Sequence, residues 1–240
     1  MNLRKQVLII TAFAIAMGFL EAAVVVYMRE ILYPGGFEFP LSPIPVRLAI
    51  TELLREVATL VMLLTVGMLG ARADRLYPGR FSTGFAWFIY SFAIWDIFYY
   101  VALRFLVDWP SSLMTWDVLF LIPTTWTGPV LTPVLVSLTM ILLALMILVS
   151  AERGKDTRIA RAEWAGLILG SVVLIFGFIF DFSRFMLQHL SLADMLQVKN
   201  PEVLEVVTSY VPVAFPWWIF AAGEAIILAS IFMYGRRLSR

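Results

Sequence analysis

Apolar residues run along this chain in long blocks, broken by short polar or Pro/Gly-rich stretches. A helix rising ~1.5 Å per residue needs about 20 apolar residues to cross a hydrocarbon layer of ~30 Å. The blocks predict six membrane-spanning helices, at about 6–28, 46–69, 81–107, 129–149, 165–190 and 216–234. The first block is longer than a signal-peptide core and holds no convincing cleavage site, so it reads as a span. The expected fold is all-α: a polytopic six-helix bundle, one integral membrane domain over 1–240, with short interfacial helices on its outer face.

The stretches between blocks refine this. Tyr33 to Pro45 is dense in Pro, Gly and Phe and reads as an ordered loop. Residues 109–150 are too long for one span and break at Pro123 and at Gly128-Pro129. Leu113 to Ile122 predicts a short interfacial helix capped by Asp117. The segment carrying Pro123, Trp126, Gly128, Pro129 and Pro133 reads as a re-entrant turn roofing the bundle. Asn200-Pro201-Glu202 pairs a capping residue with proline at the first helical position, which predicts a short amphipathic helix to Tyr210. Ala12 and Ala16 are spaced to mark a close helix contact.

Composition agrees with the pattern. The chain is 61% hydrophobic, against about half for a soluble domain, and its mean hydropathy is +0.89. Six spans with the N-terminus inside put 12 of the 18 Lys and Arg residues on the cytoplasmic side, among them Arg4, Lys5, Arg80, Arg153, Lys155 and Arg237. The expected location is the plasma membrane, a bacterial inner membrane, with both termini cytoplasmic. The net charge of +1 points to no nucleic-acid partner. Without cysteine and with His189 as the single histidine, the chain has no thiolate cluster, no bis-histidine haem and no histidine-pair zinc site. Any cofactor would be a divalent metal held by oxygen.

The candidate chemistry lies in charges that interrupt the spans. A charged side chain at the bilayer centre costs roughly 2.5–3.5 kcal/mol on insertion scales. Yet Glu52, Arg55 and Glu56 share one helical face in the second span, with Thr59. Glu21, Asp96, Asp181 and Glu224 interrupt four other spans at similar depth, all in the outer half. Asp96 shares a stripe with Tyr99 and Tyr100. Asp181 shares one with Arg184, three residues on, as an intrahelical ion pair would. Six embedded carboxylates exceed the embedded bases Arg55 and Arg184, with Arg104 at the edge. The surplus must be protonated, hydrated or matched by a bound cation.

These features define an outward-facing carboxylate and aromatic cavity for a cation, protons or a cationic small molecule, serving transport. Its expected lining is Glu21, Glu52, Arg55, Glu56, Asp96, Tyr99, Tyr100, Trp126, Asp181, Arg184 and Glu224. A metal would sit on Glu52, Glu56 and Asp96. One alternative is a membrane enzyme using acids or an oxygen-ligated metal on a lipid-linked substrate at the outer face. Another is an accessory subunit whose polar helix faces bind a membrane-protein partner. Beyond these, the expected partner is the lipid bilayer.

Overall fold

A computed structural model describes residues 2–72, 79–121, 124–191 and 201–239, with Arg72 and residues 201, 202 and 204 described by backbone alone. The expected positions Pro123 and Asn200 lie outside the described residues. The molecule is mostly helical. Helices α1 (Leu3–Leu32), α2 (Val46–Arg72), α3 (Arg80–Val107), α4 (Leu131–Glu152), α5 (Arg161–His189) and α7 (Trp217–Leu238) are long and apolar enough to cross a membrane. A short helix, α6 (Pro201–Ser209), precedes the last of them. The six long helices match the six apolar blocks, with ends that differ by at most four residues.

The shifts have local causes. Helix α5 starts four residues early because the Glu163 carboxylate accepts a hydrogen bond from the Ala160 N–H (2.7 Å) and pairs with Arg237 of α7 (2.8 Å). Helix α3 ends at Asp108, which adopts the left-handed conformation at φ 52°. There Arg104 donates to the carbonyls of Asp108 (2.6 Å) and Pro110 (3.3 Å), meeting acceptors the helix leaves unpaired.

Within the expected helix 113–122, the described residues Leu113–Leu121 are not helical. Trp116–Phe120 (β1) and Trp126–Pro129 (β2) pair antiparallel, with Asp117 opposite Gly128 and Val118 opposite Thr127. A bulge falls between Val118 and Phe120. The segment is rich in β-branched and aromatic residues and bounded by turn formers, the pattern of a hairpin. Pairing also satisfies the backbone groups that face one another across the two strands. Asp117 is thus a strand residue and caps no helix.

Two groups of helices make the bundle. Helices α1, α2 and α4 pack on α3, and α5 packs along α7. Close approach depends on small residues. Ala14, Gly18 and Ala22 of α1 are buried, whereas Ala12 and Ala16 are exposed. The contact face is therefore two residues out of phase with the expected one. A Cβ on Gly18 would sit 2.7 Å from the Trp95 carbonyl oxygen of α3. Between α5 and α7, a Cβ on Gly170 would sit 2.9 Å from the Gly223 carbonyl oxygen.

Both termini lie at one end of the bundle. There Leu3 N donates to Glu152 at the end of α4, and Lys155 donates to the Leu238 carbonyl. The other end carries loop 33–45, the hairpin and α6.

Candidate functional site

At the end away from the termini, α1, α2 and α3 surround a cavity of about 180 Å³. Loop 33–45 and strand β1 lie over it. Its lining includes Glu21 and Arg29 of α1, Glu52, Arg55, Glu56 and Thr59 of α2, Trp95, Asp96, Tyr99 and Tyr100 of α3, and Asp117 of β1. Most of the remaining surface is apolar, from Val25 and Leu60 up to Leu41, Ile44 and Phe120.

The face that joins Glu52, Arg55, Glu56 and Thr59 in the sequence forms one wall. Arg55 bridges two helices. Its guanidinium is paired with Glu21 of α1 and with Glu52 one turn away, where Nε donates to Oε1 at 2.9 Å. Thr59 donates to the other oxygen of Glu21 at 3.4 Å. Glu56 is 7% exposed and accepts a hydrogen bond from the Leu121 N–H at 3.2 Å, which ties α2 to the end of β1. Asp96 accepts a hydrogen bond from Ser137 of α4 at 2.8 Å. Tyr99 and Tyr100 pack edge to face, 4.9 Å between centroids.

Two charged groups in the cavity were not among the expected lining, Asp117 and Arg29. Asp117 is 3% exposed. It accepts from the Tyr100 hydroxyl at 3.2 Å and lies 3.7 Å from the Arg29 guanidinium. Burial pushes its carboxyl up to about 6, against the opposing pull of Arg29 and the Tyr100 hydrogen bond. The Arg29 guanidinium also lies over Trp109 (3.8 Å to the centroid) and Phe37 (4.6 Å). The signals for both existed in the sequence. Asp117 alternates with Trp116 and Val118 in a strand pattern, and Arg29 lies seven residues beyond Ala22 on the same helical face.

Four expected residues lie elsewhere. Asp181 accepts from the Tyr210 hydroxyl at 2.8 Å, and that hydroxyl also meets Thr127 of β2 at 3.1 Å. Burial, with the Asp181 contact, raises the Tyr210 phenol above its ordinary range. The expected Asp181–Arg184 pair does not form, and Arg184 is exposed. Glu224 accepts from Thr139 at 3.0 Å, between α7 and α4. Trp126 stacks on Phe178 at 5.7 Å, below the hairpin rather than in the cavity. His189 is exposed, its Nδ1 2.9 Å from the Phe185 carbonyl oxygen.

The cavity thus gathers five carboxylates, Glu21, Glu52, Glu56, Asp96 and Asp117, and two guanidiniums, Arg29 and Arg55. Both guanidiniums are engaged. Glu56 and Asp96 make no ion pair among the described residues and are met only by hydrogen-bond donors. Among the described residues, no three His, Cys, Asp or Glu side chains are grouped to hold a metal ion, and that includes Glu52, Glu56 and Asp96. Compared with known proteins, the chain matches no family model, no curated protein and no solved structure. The fold and the site define a class only: a chain with six helices able to span a membrane, built around a cavity rich in carboxylates and aromatic rings.

Proposed function

We propose that this is a multi-pass membrane protein, with both termini cytoplasmic, whose cavity binds a small organic cation in transport. The observation that carries the reading is the pair Glu56 and Asp96, two acids in one cavity that form no ion pair among the described residues. A single positive charge between them would balance one of the two carboxylates. The rings of Trp95, Tyr99, Tyr100 and Phe120 line the same space, and aromatic faces attract organic cations. The apolar remainder of the lining favours an alkylated or aromatic amine over a hydrated metal ion, as does the lack of a metal-ligand group among the described residues. Excess basic residues at the end that bears both termini support a cytoplasmic assignment for that end.

The test is uptake of labelled alkyl- and arylammonium ions into proteoliposomes containing this chain alone, with binding followed by thermal shift. Binding and uptake should fall sharply in Glu56→Gln and Asp96→Asn. A flat uptake trace and no thermal shift across the panel would refute the reading. Because the chain lacks cysteine, single cysteines introduced at Gly36 and Gly154 would report sidedness. Membrane-impermeant reagent applied to intact cells should label the first and spare the second.

The enzyme reading rests on the same pair, since two carboxyl groups facing one cavity can serve as general acid and general base. Hydrolysis of a lipid-linked substrate by the purified protein, abolished in either variant, would support it over transport.

A further inference from the structure

We propose that the occupant of this cavity is an amphiphile, with one positively charged head between Glu56 and Asp96 and an apolar chain that leaves between α1 and α2 into the bilayer. The proposal rests on the cation reading above and adds the class of cation and its route. Three features carry it: the size of the cavity, the roof over it, and the gap beside it.

The first is size and chemistry. Pockets for drug-sized ligands measure roughly 300–1,000 Å³, whereas this cavity holds about 180 Å³. It accommodates a head group and little more. Polar atoms make up the smaller part of its wall, and most of the lining surface is apolar. A wholly hydrophilic cation would leave most of that wall against water or void.

The second is the roof, which is tied down at several points. In loop 33–45 the Ser42 N–H donates to the Tyr33 hydroxyl at 2.7 Å, and the Ser42 hydroxyl donates to the Leu32 carbonyl at 3.0 Å. Strand β1 is held by Tyr100 on Asp117 and by the Leu121 N–H on Glu56. Entry past β1 would have to break the last two of these bonds.

The third is the side wall. Helices α1 and α2 each pack along α3 and meet one another only at isolated points. What joins them beside the cavity is polar: Arg55 on Glu21 and Thr59 on Glu21. Above that bridge Tyr27 and Ile31 of α1 are exposed apolar side chains, and below it so is Met62 of α2. A hydrocarbon chain placed there would lie in lipid while its head reached the acids. A cationic head can also substitute for the Arg55 guanidinium at Glu21, which opens the bridge without leaving an acid unmatched.

The experiment uses the full chain purified in dodecyl maltoside, whose neutral chains are present in excess throughout. The probe is dodecyltrimethylammonium carrying a diazirine in mid-chain, photolysed and mapped by peptide mass spectrometry. Labelling is expected on α1 and α2. Dodecyltrimethylammonium should displace the probe at a concentration at least about tenfold lower than tetramethylammonium, since each buried methylene adds to affinity. Equal potency of the two competitors would overturn the amphiphile and leave the cation reading standing. Saturable labelling confined to other helices would overturn the route. Failure of both ammonium ions to displace any label would overturn the cation reading as well. These arms use the wild-type chain and hold even if Glu56→Gln fails to fold.

Discussion

Replacing Asp117 by asparagine should change how stability depends on pH. The Asp117 carboxyl is buried, and its value rises from 3.8 to about 6 in the folded protein. Burial is the dominant cause; Arg29, the Tyr100 hydroxyl and the Val118 N–H pull the other way and are already part of that net figure. Between about pH 4 and 6 the folded protein therefore holds a proton that the unfolded chain has released. Stability contributed by the protonated carboxyl is complete below about pH 4 and is lost as pH rises through about 6. A rise of about two pH units at ~1.36 kcal/mol per unit amounts to about 3 kcal/mol. For a chain of this size that is roughly 6–12 °C in melting temperature. Asparagine resembles the protonated acid in shape and carries no charge to desolvate. Melting followed by tryptophan fluorescence should find Asp117→Asn and wild type equal near pH 4. The variant should then become more stable as pH rises, and the gap should level off by about pH 7.5. The difference between the two curves isolates Asp117 from the other acids. A difference that stays flat across this range, or a variant that loses ground as pH rises, would refute the reasoning.

Other substitutions probe the packing. Gly18→Ala places a methyl against the Trp95 backbone at 2.7 Å and should lower stability by about 1–3 kcal/mol, read as a lower melting temperature. Tyr210→Phe removes the hydroxyl that donates to Asp181 and accepts from Thr127; a loss of about 1–3 kcal/mol is expected, with faster proteolysis near α6. Glu163→Ala loses both the helix start and the Arg237 pair and should lower the melting temperature by several degrees. Arg158→Ala, whose pair with Asp156 is solvent-exposed, should leave it unchanged.

Depth along a helix was legible in the sequence, and direction between helices was not. A constant rise per residue places Glu21, Glu52, Glu56 and Asp96 at one level, and they line one cavity. Asp181 and Glu224 share that level but turn to Tyr210 and Thr139. Which neighbour a helix face meets depends on crossing contacts such as Gly18 on Trp95 and Gly170 on Gly223, and periodicity within one helix does not encode those. The hairpin was missed because a short apolar run fits either a helix or a strand until its partner is known. With it went Asp117, whose burial follows from the strand lying over the cavity.

The lining of the cavity falls entirely within residues 21–121. Helix α4 adds Ser137 behind Asp96, while α5 and α7 pack on one another and share a core with α3 and α4 away from the cavity. During synthesis the whole binding chamber leaves the ribosome before the second helix pair exists. Domains and subdomains fold in that order, from the N-terminus onward. Cutting the chain at the exposed turn around Gly154 and co-expressing the two pieces would test that order. The first piece would carry every residue that lines the cavity, and the second the helices that complete the shared core.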